Sequence, residues 1–473
     1  MRVVSADLWE PAPGRVVTWD VRPGPGSVPA PAVPTFNQRN HLLGAAAGEP
    51  SVWITAAFDV DGPVDVAALE AAFAELVARH ADLRVEAVRG ATPTDVGLVR
   101  HAATALVWTR HDGPATGSVE ETRDHLVAAL GRRCAPFGYP AFLPAAISRE
   151  GRSTVVLGMD HLHTDAWSTA VVVEELAAAY AAYAGRAAAP ASGAAVVREV
   201  VAPGPVPDPG PSADREPDRG VAADDPRLAA WHGFLHDRGG ALPTFPLPLG
   251  VPEGARLPQR TVVAPLCDAA VADAVGERAR AAGASTSAAV LATLARAVAD
   301  LGGPEVLETL LPVHTRTDAA TRGAVGWHTT TVPLRVDVAG GGRGQVQDTD
   351  LAATGKALRA ARELAAVPLE RVVESLPRPL RFPRVDIFQV SYLDYRRLPG
   401  YAAAVRHDAH HVSAATRADD LQLWVSRTAD GVAVRARLPR TPEATTTVDA
   451  LLSGWSDLLR TLADRRGAGA RTT

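Results

Sequence analysis

The sequence predicts a mixed α/β fold, of α/β or α+β type, divided into two domains. The chain has 473 residues, which is too long for one ordinary hydrophobic core, so two domains are expected. Hydrophobic residues make up 47% and charged residues 21% of the chain, as is typical of globular proteins. Helical and strand periodicities alternate in both halves, and that mixture indicates the α/β or α+β class.

The first half contains a predicted strand at 52–60, followed by a helix over 66–79 that Asp65 is suited to cap. Leu69, Phe73 and Leu76 fall on one face of that helix, as expected for a helix packed on a core. Residues rich in Pro and Gly predict irregular structure over 21–34. The other expected elements are a helix over 118–131, a strand within 153–163 and an Ala-rich helix over 169–183.

The segment 186–227 changes character, because Pro, Gly, Asp and Arg dominate it. Such a composition cannot bury enough apolar surface to fold alone, so it predicts an interdomain linker. The domains are therefore expected as 1–185, the linker 186–227, and 228–473. The elements expected after the linker are a helix with Trp231, helices over 268–282 and 286–301, strands over 307–313, 329–337, 386–393, 421–427 and 431–438, and a closing helix over 443–463.

Bulk properties exclude several classes of function. A net charge of −5 offers no excess of positive charge to neutralise phosphates, so nucleic acid is not an expected partner. Two cysteines, Cys134 and Cys267, cannot build a disulfide framework or a structural zinc site. The N-terminus lacks the apolar stretch of a signal peptide. Because no apolar run reaches about 18 residues, we expect a soluble cytoplasmic protein without a membrane partner.

The richest cluster of ionisable residues lies at 159–168, where a predicted buried strand ends and a helix begins. Such a junction is a common position for a catalytic group on a rigid scaffold. The cluster contains an HxxxD pattern, His161 and Asp165, and a second HxxxD occurs at His314 and Asp318. With 14 histidines, about one such pattern is expected by chance. Either pair alone is more simply explained as a histidine near a carboxylate, and the flanking residues must decide.

A metal site is one alternative for this cluster. His161, His163 and Asp165 form HxHxD, similar to the HxHxDH motif of the metallo-β-lactamase fold. Alternating residues of a strand point to one face, which suits chelation. However, Ala166 stands where that motif has another histidine, and no later histidines supply the remaining ligands in a suitable context. No metal is therefore expected.

The order of strand, HxxxD, Trp-Ser and helix resembles the HHxxxDGWS signature of nonribosomal peptide synthetase condensation domains. It is also similar to the HxxxD core of the chloramphenicol acetyltransferase and BAHD acyltransferase superfamily. Two positions depart from the signature: Asp160 replaces its first His and Ala166 replaces its Gly. The residues that match it are, in order, His161, Asp165, Trp167 and Ser168.

Further segments support this resemblance in the family's order, from about Pro34 to Leu462. They are Pro34-Thr35-Phe36-Asn37-Gln38, like the opening S-P-x-Q; Leu76 to Arg84, like LVxRHExLR; Pro136-Phe137, like PFDL; Trp231 in the opening helix of the second half; Pro312 to Arg316, like PVxxR; Gly326 to Arg335, like GxFVNTLPLR; and Ile387-Phe388-Gln389-Val390. The chain thus resembles a free-standing member of the condensation-domain superfamily, such as the polyketide-associated acyltransferases.

The resemblance implies two chloramphenicol acetyltransferase-like half-domains in a V-shaped pseudo-dimer, with the active-site histidine in a tunnel at their junction. His161 would be the general base, because a neutral imidazole has a pKa near working pH. Asp165 would be structural and would form a buried ion pair with Arg316 across the half-domain boundary. Removing one member of such a pair costs about 3–5 kcal/mol. No bound cofactor is implied.

The departures leave two alternatives for Asp160. Its carboxylate either lies beside His161 and raises the pKa of that imidazole, or points to the other side of the strand and pairs elsewhere, as alternation favours. Ala166 matters only if the backbone there has a positive φ or contacts the oxyanion. His163 is expected to pack in the core or to line the acceptor tunnel. Other expectations are a tunnel wall reshaped by Trp327 and Thr330, which replace the family's Phe and Asn, and solvated loop positions for His410 and His411.

The implied function is acyl transfer from a carrier-protein phosphopantetheine or coenzyme A thioester to a hydroxyl or amine. Such ester or amide formation belongs to secondary-metabolite biosynthesis, including polyketide, nonribosomal peptide and antibiotic pathways. An acyl or peptidyl carrier protein would act in trans, with a small-molecule acceptor and a monomeric enzyme. The alternative is a catalytically degenerate module that recruits partner enzymes or carrier proteins. The sequence leaves the donor and the acceptor open.

Overall fold

The computed structural model describes residues 1–92, 94–187, 221–340 and 342–464. The strands are β1 (Arg2–Ser5), β2 (Arg15–Pro23), β3 (Ala30–Ala32), β4 (Trp53–Asp61), β5 (Val85–Arg89), β6 (Val96–Arg100), β7 (Leu106–Ala115), β8 (Phe142–Ser148), β9 (Arg152–Asp160), β10 (Leu257–Asp268), β11 (Val306–His314), β12 (Thr329–Asp337), β13 (Gln389–Asp394), β14 (His410–Ser413), β15 (Arg417–Ala418), β16 (Gln422–Thr428) and β17 (Gly431–Pro439).

The helices are α1 (Phe36–Ala46), α2 (Val66–Arg79), α3 (Val119–Arg133), α4 (Ala166–Ala187), α5 (Pro226–His236), α6 (Ala269–Ala281), α7 (Thr286–Asp300), α8 (Ala319–Arg322), α9 (Asp348–Glu363), α10 (Leu369–Glu374), α11 (Tyr401–Arg406) and α12 (Pro442–Asp464). Helices and strands alternate along the chain, so the predicted mixed α/β class is confirmed. Within the described residues, no single helix is both long and apolar enough to cross a membrane, although the pair α6 and α7, bent by 99°, passes that test together.

The chain divides into two compact units that are not continuous in sequence. The first comprises the described parts of Met1–Glu216 together with Arg316–His328 and Arg397–Ala415. The second comprises the described parts of the rest of the chain. Two segments of the predicted second half, 228–473, thus belong to the first unit. Most of the predicted linker 186–227 lies outside the described residues, and the boundaries proposed from the sequence stay a prediction.

The first unit is built on a seven-stranded sheet with the order β1-β14-β4-β9-β8-β2-β7. At its centre, β9 is buried from Ser153 to Asp160, and it pairs antiparallel with both β4 and β8. Such burial on both faces explains why β9 is a nearly continuous apolar run. A smaller sheet, β3-β6-β5, belongs to the same unit.

Strand β14 explains why residues 397–415 join the first unit. It pairs parallel with β1 and antiparallel with β4, so it completes the first sheet from a distant part of the sequence. His410 and His411 lie in this strand, and His411 is buried. Their predicted place in a solvated loop is therefore wrong, because four residues that complete a sheet were too short to recognise by periodicity.

The second unit contains the sheet β12-β11-β13-β16-β17-β10-β15. Helix α7 is buried along nearly its whole length, and the amphipathic helix α12 buries Trp455 in the same core. The indole N–H of Trp455 donates to Val290 O at 3.1 Å and to Thr293 Oγ1 at 3.0 Å. A buried indole thereby satisfies its polar atom, and α7 and α12 are fixed against each other.

Helix α2 begins and ends where the sequence predicts. Asp65 precedes it, and an Asp65 carboxylate oxygen accepts the backbone N–H of Ala68 at 3.0 Å, which is the N-cap geometry. The predicted irregular segment 21–34 is interrupted by structure, because β2 extends to Pro23 and β3 occupies Ala30–Ala32. The β2 strand is paired on both sides, and this pairing overrides the local Pro and Gly content.

Candidate active site

The HxxxD pattern at His161 lies at the junction between β9 and α4 in the first unit. Strand β9 ends at Asp160, a short 3-10 turn covers His161–His163, and α4 begins at Ala166. The backbone N–H of His161 donates to Val52 O at 2.8 Å. The turn is therefore tied to the residue that precedes β4, the strand beside β9.

Asp165 and Arg316 form a bidentate ion pair. The guanidinium nitrogens of Arg316 lie 2.6 Å and 3.0 Å from the two carboxylate oxygens of Asp165, and both side chains are buried. Burial tends to raise the pKa of Asp165, but the charge and hydrogen bonds of Arg316 outweigh it and hold that pKa below its usual value. Asp165 is thus an ionised structural anchor.

The segment that contains Arg316 belongs to the same compact unit as Asp165. The sequence expectation placed this pair across the boundary between half-domains, whereas the contacts assign both residues to one unit. The pair fastens 316–328 to the beginning of α4. Residues 316–328 connect β11 to β12, and the ion pair joins this connection to α4.

Ser168 and Gly326 complete the hydrogen bonding around this pair. The Ser168 hydroxyl donates to Asp165 Oδ1 at 2.8 Å or to Gly326 O at 2.9 Å, and accepts from Arg316 at 3.0 Å. A Cβ at Gly326 would lie 2.2 Å from a carboxylate oxygen of Asp82. The absence of a Cβ at position 326 therefore lets the Asp82 side chain pack closely against the backbone there.

His161 packs against Trp327, which comes from the segment that Arg316 fastens. Their ring centroids are 4.0 Å apart, with 36° between the ring planes. Nδ1 of His161 is buried, and no other residue in the described part of the chain hydrogen-bonds to it. Burial lowers the pKa of His161, and the neighbouring His41 acts in the same direction. The imidazole is therefore neutral at pH 7, the form that a general base requires.

Asp160 pairs away from His161, as strand alternation favours. One of its carboxylate oxygens lies 2.7 Å from Nε2 of His41 in α1 and accepts the backbone N–H of Leu162 at 2.9 Å. Asp160 also favours the charged imidazole of His161, as the other alternative expects, but burial and His41 outweigh it, so the pKa of His161 is lowered overall.

His163 is buried in the core of the site. Its Nδ1 lies 2.6 Å from the carbonyl oxygen of Asp82, and burial lowers its pKa. Because β9 ends at Asp160, strand alternation does not extend to His161 and His163. Among the residues that the structure describes, no group of three His, Cys, Asp or Glu side chains is arranged to hold a metal ion.

The remaining predicted positions lie in ordinary backbone. Ala166 begins α4, and the only non-glycine residue with positive φ in the described ranges is Asp408, so alanine strains nothing there. The Trp167 indole N–H donates to Arg322 O at 2.9 Å. Thr330 lies in β12 of the second unit, opposite Val313. A place in a tunnel wall stays a prediction for Trp327 and Thr330.

The sequence missed His41, although a usable signal stands three residues before it. The Gln38 side-chain amide donates to Leu162 O at 3.0 Å, and residues three apart share a helix face. Gln38 and His41 therefore both contact the turn that contains His161. The opening motif that ends at Gln38 predicts His41 as well, once it is extended by one helical turn.

The chain is similar to several named acyltransferases. The chain is 28% identical over 424 residues to the 2'-acyl-2-O-sulfo-trehalose (hydroxy)phthioceranyltransferase PapA1 of Mycobacterium tuberculosis (strain CDC 1551 / Oshkosh), covering 83% of this chain and 76% of that protein. It is 25% identical over 497 residues to the trehalose-2-sulfate acyltransferase PapA2 of Mycobacterium bovis (strain BCG / Pasteur 1173P2), covering 96% of each. No protein-family model matches the chain.

Solved structures share the fold. A PapA2 acyl transferase superposes with a TM-score of 0.81 at 22% identity, covering 98% of this chain and 100% of that one. The first condensation domain of the calcium-dependent antibiotic synthetase superposes with a TM-score of 0.63 at 19% identity, covering 92% and 98%. The X-domain from teicoplanin biosynthesis, in its complex with OxyB, reaches 0.57 at 20% identity, covering 92% and 94%. The resemblance predicted from the motifs is confirmed.

Proposed function

We propose that this chain, an acyltransferase with the condensation-domain fold, transfers an acyl group from a thioester to a small-molecule acceptor with His161 as the general base. The donor would be a carrier-protein phosphopantetheine or coenzyme A thioester. One observation carries the proposal: His161 is a half-buried imidazole whose pKa is lowered, and it packs against Trp327 of the segment that the Asp165–Arg316 ion pair holds. Cytoplasmic location, a monomeric state and the lack of a bound cofactor belong to the same proposal.

The proposed reaction has two steps. Nε2 of His161 takes the proton of the acceptor hydroxyl or amine while the acceptor oxygen or nitrogen attacks the thioester carbonyl carbon. The tetrahedral intermediate then collapses, the carbon–sulfur bond breaks, and the leaving thiolate takes the proton from the imidazolium. The products are an ester or amide and a free thiol. A lowered pKa suits His161 to both steps, because the base form predominates at neutral pH and the acid form gives up its proton readily.

Asp165 and Arg316 would not touch the substrate. Their role would be to hold α4 and the 316–328 segment together, so that Trp327 stays against the His161 ring. Loss of either side chain would leave an unpaired buried charge. Loss of activity in an Asp165 variant would therefore have two explanations, a displaced base and a damaged fold. Activity alone does not distinguish them.

We expect the acceptor to be an alcohol and not an amine. Both PapA1 and PapA2 are named for acyl transfer to sulfated trehalose, a sugar whose nucleophilic groups are hydroxyls. A hydroxyl of a polyol is therefore the first acceptor to try, and an ester is the expected product.

A recruitment module remains the second candidate. The replacement of the signature's His and Gly by Asp160 and Ala166 favours it, as does the solved X-domain complex with OxyB. The retained His161, Asp165 and Arg316 oppose it. This candidate would bind a partner enzyme and turn over no acyl donor.

Turnover with a panel of donors separates the two candidates. Purified protein is incubated with acyl-coenzyme A or with an acylated carrier protein, each with a sugar alcohol or a primary amine, and products are identified by mass spectrometry. Reactions without protein give the background. We expect an ester that depends on protein and on one donor class. Binding of pathway enzymes without product from any donor would replace the acyltransferase proposal with the recruitment module.

A further inference from the structure

Ring contacts help to orient the His161 side chain. A general-base histidine is ordinarily oriented by a hydrogen bond to its other ring nitrogen. Nδ1 of His161 is buried, and no other described residue hydrogen-bonds to it; the backbone hydrogen bond that acts on the imidazole comes from His161 itself. Contacts with neighbouring rings therefore contribute to the ring's orientation.

Those ring contacts involve Trp327 and His41. Trp327 lies against His161 with a centroid distance of 4.0 Å. His41 meets Trp327 edge-on, at 5.9 Å and 74°, and its own centroid lies 6.4 Å from that of His161. An edge-to-face pair at this distance is a favourable arrangement of aromatic rings. Trp327 thus contacts both imidazoles, and the three rings form a triangle.

His41 is itself fixed at two points. Its Nε2 bonds to Asp160 at 2.7 Å, with 11% of the His41 side chain and none of the Asp160 side chain exposed. Helix α1, which carries His41, begins with a reciprocal Thr35–Gln38 capping box and is tied to Leu162 O through Gln38. Neither the helix nor the ring is therefore free to turn.

We infer that His41 is a positioning residue for the base, acting through a closed chain of contacts from Asp160 to His41, to Trp327 and to His161. The chain of contacts closes because Asp160 and His161 are adjacent in the backbone. This inference rests on the proposed role of His161. It also explains the departure at position 160: a carboxylate replaces the signature's first histidine, and the imidazole that it binds comes from α1.

The same arrangement brings charged groups around His161. Asp160 on β9 and Asp165 at the start of α4 favour its protonated form, although Asp165 is itself paired with Arg316, while His41 on α1 disfavours that form. His163 in the same turn is neutral at pH 7, because burial lowers its pKa. Removal of His41 should therefore raise the pKa of His161 as well as loosen its ring.

A purely structural imidazole–carboxylate pair elsewhere in the unit offers a matched control. Nε2 of His101 lies 2.7 Å from Glu86, with 5% of the His101 side chain exposed, and its ring packs on Tyr139 at 4.8 Å. Its imidazole–carboxylate distance equals that of the His41–Asp160 pair, and its ring partner is Tyr139 instead of Trp327. Loss of His101 should lower stability and leave the turnover of folded protein unchanged.

Three substitutions separate the contacts of His41. His41→Phe keeps a ring against Trp327, His41→Gln keeps an N–H donor for Asp160, and His41→Ala keeps neither. We expect kcat to fall about 10- to 100-fold in His41→Ala, less in the other two, with KM within about twofold of wild type. The acid limb of the pH profile of kcat should move to higher pH, and His101→Ala should show neither change.

Titration of the imidazole of His161, followed by NMR in the same variants, needs no substrate. We expect its midpoint to rise in His41→Ala and to stay in place in His101→Ala. If the midpoint rises in His41→Ala but the protein transfers no acyl group, the inferred contact between His41 and His161 stands and the proposed function is rejected. If all folded His41 variants keep the kcat, the pH profile and the His161 midpoint of wild type, the inference is overturned while the proposed function stands.

Discussion

The two HxxxD patterns of this chain have the same spacing and opposite surroundings. At the first, the histidine is neutral and packed against a tryptophan, and Asp165 is buried against Arg316. At the second, His314 is exposed at the end of β11, and the exposed Asp318 caps the four-residue helix α8. The spacing alone therefore does not define a site, because a carboxylate four residues after a histidine can serve an ion pair or a helix end.

The difference between the patterns lies in the residues after each aspartate. Asp165 precedes the long helix α4, whose Ser168 also binds the carboxylate. Asp318 precedes a helix of a single turn and binds Thr321 in a capping box. Arg316, which lies within the second pattern, supplies the partner of the first. Arg316 of the second pattern is thus part of the site that contains the first pattern.

The largest expected effect is on stability. Asp165→Ala leaves Arg316 buried without a counter-ion, so the free energy of unfolding should fall by about 3–5 kcal/mol. Asp318→Ala removes an exposed helix cap and should cost about 1 kcal/mol. Urea unfolding of both variants checks the difference.

Equal losses in the two variants would break the comparison, since they would mean that burial of the Asp165 pair adds nothing beyond a cap. Asp165→Asn is the intermediate variant. It keeps the shape of the side chain and the contact with Ser168 but removes the charge. Its free energy of unfolding should therefore lie between those of wild type and Asp165→Ala.

Two glycines in the same segment give the next effect. A Cβ at Gly326 would clash with Asp82 and His328, whereas the nearest atoms to a Cβ at Gly323 are 3.8 Å away. Gly326→Ala should therefore lose about 1–3 kcal/mol and reduce acyl transfer, because Trp327 is the next residue. Gly323→Ala should resemble wild type in thermal unfolding and turnover. If Gly326→Ala matches wild type in stability and turnover, the segment can move without a cost in free energy.

The sequence predicted the parts of this site that depend on local pattern. The junction of a buried strand and a helix at 159–168 followed from periodicity, although the helix expected from 169 begins at Ala166. The pairing of Asp165 with Arg316 followed from the resemblance to the condensation-domain superfamily. His41 did not, because α1 reaches Asp160 only after folding brings together residues 119 positions apart. The same reason hid β14, whose partners β1 and β4 lie far away in sequence.

The smallest expected effect is the dependence of stability on pH. The pKa values of His161 and His163 are lowered in the folded protein by burial, so each contributes stability that is full above the unfolded value of about 6.5 and is lost as pH falls through it. His161→Gln should therefore reduce the loss of unfolding free energy between pH 7.5 and 5.5. His314→Gln is the matched control for removing an imidazole, and identical pH profiles for the two variants would contradict the assignment.

The central claim, that His161 is the base, is tested most directly by one kinetic comparison. Acyl transfer by wild type, His161→Ala and His314→Ala is measured under the donor and acceptor conditions that give product, after circular dichroism shows that all three are folded. We predict a loss of at least about 100-fold in His161→Ala, the magnitude usual for general-base catalysis, and turnover near wild type in His314→Ala. Wild-type turnover by folded His161→Ala would show that another group removes the acceptor proton.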